Sequence, residues 1–174
     1  MYPGETLITF VLGGNKSGKS DYALDLFAEY SGRKCFIATG KARDMSFRQQ
    51  IMTHRNERDP SIPVLEAGAD LHQVLLKARE GYDHLLVDSL DFWLFSCSEV
   101  SDGEHHIGEV VRLLSEWKGP DVVLVSCEVG LGPLAMTREV RSFVRSLGSL
   151  NRTMAAIADE VYLVAAGLSL TLKK

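Results

Sequence analysis

Residues 7–20 read LITFVLGGNKSGKS, and this stretch decides the fold. A nearly unbroken apolar run, Leu7 to Leu12, gives way to Gly13-Gly14-Asn15-Lys16-Ser17-Gly18-Lys19-Ser20, which matches G-x-x-x-x-G-K-[ST]. That pattern has physical content only where a strand enters the loop and a helix leaves it. Both conditions are met: the apolar run predicts a buried strand, and the spacing from residue 19 to about 31 predicts a helix. In that setting the loop's backbone N–H groups, Gly13 through Gly18, converge on phosphate oxygens, and the helix N-terminus adds positive potential. Lys19 is expected to reach the β- and γ-phosphates, and the Ser20 hydroxyl to ligate Mg²⁺. A plain glycine-rich turn is the competing reading, and it does not explain Gly-Lys-Ser in register behind an apolar strand.

The rest of the chain repeats the strand–helix alternation. KCFIA (34–38), HLLVD (84–88) and DVVLVS (121–126) are continuous apolar runs of the kind buried on both faces of a sheet. EVYLVAAG (160–167) and LSLTL (168–172) predict a last strand or hairpin. Helical spacing is expected over about 19–31, 44–57, 69–80, 104–117 and 137–158. SCSEVSDGEHH (96–106) is the most loop-like stretch and is expected to be a surface excursion. The pattern predicts one α/β domain over residues 1–174, with a mainly parallel sheet flanked by helices.

Composition narrows the function. The 174 residues are 45% hydrophobic and 24% charged, with a formal net charge of −4, so bulk electrostatics predicts neither nucleic acid nor an anionic membrane as partner. A nucleotide phosphate needs only a local site. Cys35, Cys97 and Cys127 are far apart, odd in number and without a C-x-x-C pair, which suits a reducing cytoplasm and argues against zinc or disulfides. The N-terminal apolar run is too short for a signal peptide or membrane span, so no membrane insertion is expected.

A phosphate loop of this kind needs acids opposite it. Asp88 falls at the carboxyl end of a buried strand, where α/β sheets bind their ligands, and is expected to complete the Mg²⁺ site. Its alternative role is to cap the helix that follows. Glu128 follows DVVLVS in SCEVGLGP (126–133), with Gly130 and Gly132 leaving its loop room to approach a ligand, although a surface-loop glutamate fits the same pattern. His54 stands in QQIMTHRNER (49–58), with Arg55 beside it and Arg58 four residues on. Alone it reads as a solvated helix histidine. His72, His84, His105 and His106 have no metal-ligand spacing.

Three segments in order, GGNKSGKS, IATGKARD followed by His54 and Arg58, and SCEVGLG followed by RSFVRSLGSLN, resemble the adenosylcobinamide kinase / adenosylcobinamide-phosphate guanylyltransferase family. LVDSLDFWL (86–94) and the tail from Ala158 to Lys173 extend the resemblance over essentially the whole chain. It implies a RecA-like P-loop NTPase fold, usually assembled as a homotrimer. It implies phosphorylation of the aminopropanol hydroxyl of adenosylcobinamide by GTP or ATP, then transfer of GMP from GTP to that phosphate. The GMP passes through a covalent histidine intermediate, and the matching histidine here is His54. A neutral imidazole suits such a role, and Arg55 and Arg58 could stabilise charge on the phosphoryl oxygens. Glu66 matches a further family position in the nucleotide site.

The chain departs from the family pattern at several points. Ser46 and Gln50 replace a Glu and an Arg, Ile62 a Trp, Cys127 an Asn and Arg145 an Asp. Three readings therefore stand beside one another at this stage: the bifunctional enzyme, a P-loop small-molecule kinase without guanylyltransferase activity, and a non-catalytic nucleotide-binding module.

Overall fold

The computed structural model describes residues 6–39, 62–132 and 137–174. Strand β1 (Ile8–Gly13) is buried at all six positions, as an apolar run that meets helices on both faces must be. It leads through the glycine loop into helix α1 (Lys19–Glu29), and from there the chain returns to β2 (Lys34–Ala38). The short strand β3 (Val64–Glu66), helix α2 (Leu71–Gly81) and strand β4 (His84–Asp88) follow. Helices α3 (Leu90–Ser98) and α4 (Gly103–Ser115) lead into β5 (Asp121–Cys127). Helix α5 (Arg138–Ile157) and the hairpin of β6 (Glu160–Ala165) and β7 (Leu168–Lys173) complete the described chain.

Among the described residues the strands form one sheet in the order β3-β2-β4-β5-β1-β6-β7, parallel except for β7, which runs antiparallel to β6. Helix α1 covers one face through Ala23 and Phe27, packed on Val11, Phe36, Leu86, Val123, Val125 and Val164. Helices α2 to α5 cover the other through Leu71, Leu75, Trp93, Val110, Leu114, Leu147 and Met154. The parallel strands all end on the same edge. That edge carries Gly13, Glu66, Asp88 and Cys127 at strand ends.

Four of the five expected helices have counterparts within a few residues, and the fifth, about 44–57, lies outside the described residues. The stretch 96–106 differs from expectation. It holds the last turn of α3 and the first of α4, separated by a short break, so His105 and His106 are helical. The physical reason is Gly103, whose added Cβ would stand 2.0 Å from the Cys97 carbonyl oxygen. This glycine permits close approach of two helices and does not mark a loop. Strand β3 was not expected, because three residues with an exposed–intermediate–exposed pattern give no periodic signal.

Candidate active site

The glycine loop owes its shape to two left-handed residues, Lys16 at φ 55° and Gly18 at φ 90°. A Cβ on Gly13 would lie 2.3 Å from Ser17 Oγ and 2.7 Å from the Val164 carbonyl oxygen, so the loop folds directly over its own first residue. Gly18 caps α1 without any side-chain hydrogen bond, which leaves the first-turn N–H groups facing the loop interior. Lys19 Nζ bends back and donates to the Gly14 carbonyl at 3.2 Å. Ser17 Oγ is buried with no hydrogen-bond partner among the described residues. A buried hydroxyl without a partner, a folded-back ammonium and uncapped amides form a donor set suited to phosphate oxygens.

The loop is braced from an unexpected side. The β6–β7 hairpin turns at Ala166 and Gly167, with φ of 52° and 77°, and the Gly167 N–H donates to the Ser17 carbonyl at 2.9 Å. The added Cβ of Gly18 would stand 3.2 Å from the Gly167 Cα. The chain's last hairpin thus touches its first loop.

Asp88 ends β4 and Glu128 follows β5, whose other neighbour is β1. With neighbouring strands about 4.8 Å apart, Asp88 stands roughly 10 Å across the edge from Gly13, and Glu128 emerges between them. The helix after β4 has Ser89 as its N-cap, so Asp88 is not the capping residue. Thr39, fully buried just past the end of β2, fixes the turn after Asp88: its hydroxyl donates to the Ser89 carbonyl at 2.5 Å and accepts from the Ser89 N–H at 2.8 Å. The Glu128 N–H donates to the Gly13 carbonyl at 2.9 Å, and Glu128 Oε1 accepts from the Gly130 N–H at 2.6 Å. Burial raises the Cys127 thiol above its usual pKa, with the Lys19 ammonium pulling the other way. Cys127 is therefore a packed thiol beside the lysine, and its side chain offers no anion or amide to a ligand.

The structure thus brings the loop from Gly13 to Ser20, Asp88 and Glu128 to one place. It does not bring Glu66 there. Glu66 is exposed at the end of β3, four strands from β1, or roughly 19 Å at ordinary strand spacing. His54, Arg55 and Arg58 lie outside the described residues, as do Ser46 and Gln50. Arg145 is exposed on α5 and Ile62 packs against the α1 side of the sheet. Two polar residues beside the site, Asp91 and Asn151, were not expected from the sequence. Asn151 leaves a signal that could have found it: it interrupts the buried stripe Leu147, Leu150, Met154 of α5.

Comparison with known proteins bears on the fold and on the family. Solved structures with the same arrangement include a KaiC-like protein of Pyrococcus horikoshii, with TM-score 0.51 and 15% identity over 93% of this chain and 72% of that one. The flagellar accessory protein FlaH of Methanocaldococcus jannaschii gives TM-score 0.51 and 18% identity over 98% and 79%. An ATPase of a bacterial type III secretion system gives TM-score 0.55 and 14% identity over 95% and 56%. These likenesses show the expected RecA-like P-loop fold and nothing finer. Sequence relatives go further. The bifunctional adenosylcobalamin biosynthesis protein CobP of Pseudomonas aeruginosa is 34% identical over 166 residues, covering 94% of this chain and 95% of that protein. The corresponding CobU protein of Salmonella typhimurium is 27% identical over 182 residues, covering 96% and 100%. The family model described as cobinamide kinase / cobinamide phosphate guanyltransferase matches residues 9–172. The chain belongs to that family, and it is an enzyme of the kinase and guanylyltransferase classes that the family is named for.

Proposed function

We propose that this chain phosphorylates the aminopropanol hydroxyl of adenosylcobinamide and then transfers GMP from GTP to the resulting phosphate, with His54 as the carrier of GMP. The observation that supports it best is the single sheet edge where the phosphate cradle, Asp88 and Glu128 meet. In the first reaction the loop amides and Lys19 hold the triphosphate of GTP or ATP and stabilise charge on the transferring group. Ser20, at the start of α1, and Asp88 would hold Mg²⁺, which when bound neutralises phosphate charge. Glu128 sits on the acceptor side of the cradle, where its carboxylate can orient the attacking hydroxyl and receive its proton.

In the second reaction the His54 imidazole attacks the α-phosphorus of GTP, forming a P–N bond and releasing pyrophosphate. The corrinoid phosphate then takes the GMP and frees the histidine. Arg55 and Arg58 offset charge on the phosphoryl oxygens, and Glu66, far from the cradle, belongs to the part of the site that meets the nucleotide during this step. The protein works in the cytoplasm, which its three free, buried cysteines suit. No helix among the described residues is long and apolar enough to cross a membrane. Assembly as a homotrimer is supported by the family resemblance and by the exposed leucines of the edge strand β7, Leu168, Leu170 and Leu172.

The test uses GTP labelled at the α-phosphate, with magnesium. The wild-type chain should acquire acid-labile, base-stable label, as a phosphoramidate does, and His54→Ala should acquire none. Absence of label on the wild-type chain would sink the guanylyl-histidine step. If phosphate from γ-labelled nucleotide still reached adenosylcobinamide, the chain would stand as a kinase alone.

A further inference from the structure

Strand β5 runs two residues past its neighbour β4. Pairing of β4 with β5 ends at Asp88 opposite Val125, whereas β1 continues alongside to Gly13 opposite Cys127. Successive residues of a strand point their N–H and C=O groups to alternate sides. Because the Glu128 N–H reaches β1, the Cys127 N–H and C=O face the side where β4 has stopped. Buried backbone groups in that position need partners. Side chains supply them. Asp91 Oδ1 accepts from the Cys127 N–H at 3.2 Å, and Asn151 Nδ2 donates to the Cys127 carbonyl at 3.0 Å. Asn151 Oδ1 in turn accepts from Ser126 Oγ at 2.7 Å. Asn151 is only 5% exposed and Ser126 is fully buried, so neither group can exchange its partner for solvent.

We infer that Asn151 and Asp91 are positioning residues, which together stand in for the missing stretch of β4 and aim Glu128 at the acceptor end of the phosphate cradle. The inference rests on the reading of Glu128 as the acid that acts on the acceptor hydroxyl. Packing alone would be served by an apolar residue at 151, in line with Leu147, Leu150 and Met154. An amide that uses both its donor and its acceptor on consecutive residues of β5 fixes direction instead. Asp91 lies in the first turn of α3, three residues after Asp88, so the same turn sets both acids.

The experiment follows phosphate transfer from γ-labelled nucleotide to adenosylcobinamide by the whole chain, with nucleotide binding and melting temperature measured beside it. Glu128→Gln should lower kcat about a hundredfold and leave nucleotide Kd unchanged. Asn151→Ala should lower kcat by roughly ten- to a hundredfold, again with Kd unchanged. The double variant should be no slower than Glu128→Gln alone, because Asn151 acts through that carboxylate. Asp91→Ala should repeat the pattern and provides the comparison if Asn151→Ala fails to fold. Asp91→Asn, which keeps an oxygen for the Cys127 N–H, should recover most of the rate. Multiplying effects in the double variant, or a Kd that worsens in step with kcat, would overturn the positioning role. A Glu128→Gln variant at wild-type rate would instead overturn the reading of Glu128, independently of anything done at Asn151.

Discussion

At the scale of single residues, the glycines of the loop divide by what a methyl group would meet. Gly14 has open space, while Gly13 has the Val164 carbonyl within 2.7 Å of its missing Cβ, and a backbone atom cannot step aside. Gly13→Ala should therefore destabilise the fold by about 1–3 kcal/mol and weaken nucleotide binding, whereas Gly14→Ala should keep the melting temperature. Thermal melts with and without GTP check both. Lys19→Ala should cost on the order of a hundred- to a thousandfold in phosphoryl transfer, read as kcat with γ-labelled nucleotide. These residues were legible in the sequence because the motif ties chemistry to spacing. The roles of Asp91 and Asn151 were not, because they depend on β5 outrunning β4; the break that Asn151 makes in the buried stripe of α5 marks the residue but not its partner.

At the scale of elements, β1, β2, β4, β5 and β6 announced themselves as continuous apolar runs and α1, α2, α4 and α5 by period, while the short strand β3 and the helix α3 did not. What escaped was decided by packing between elements. The break between α3 and α4 exists because Gly103 lets the helices close on each other at Cys97, and the sequence shows only a glycine among polar residues. A last strand or hairpin was expected over 160–172 and is a hairpin, but its contact with the phosphate loop was not expected. Gly167 has open space around it yet holds φ 77°, so Gly167→Ala suffers backbone strain alone, about 1–2 kcal/mol. Gly167→Pro also removes the N–H that reaches Ser17, and it should weaken nucleotide affinity well beyond the alanine variant. Calorimetric titration with GTP separates the two.

At the scale of the molecule, the strand order explains how residues spread over more than a hundred positions share one edge. Placing β5 between β1 and β4 sets Glu128 between the cradle and Asp88, and it leaves β3 with Glu66 at the far margin. A sequence can suggest that strands are parallel, but their order comes from crossovers that no residue spells out. The opposite margin is β7, an edge strand showing Leu168, Leu170 and Leu172 at 76%, 60% and 54% exposure. Such an edge invites a partner. If the proposed homotrimer is built on this edge, Leu170→Glu should shift the protein to monomer in light scattering after size exclusion, with the melting temperature of the monomer unchanged.

The hydrogen bond from Gly167 to Ser17 also has a consequence in time. A ribosome makes the phosphate loop some 150 residues before its brace, which at ~5–20 residues per second is a delay of roughly eight to thirty seconds. Strand β1 likewise waits for β5 and β6, both made after it, to flank it. Nucleotide therefore meets a braced cradle on a growing chain only after the β6–β7 hairpin has emerged. Capture of GTP by a nascent chain would report that the β6–β7 hairpin has reached the phosphate loop.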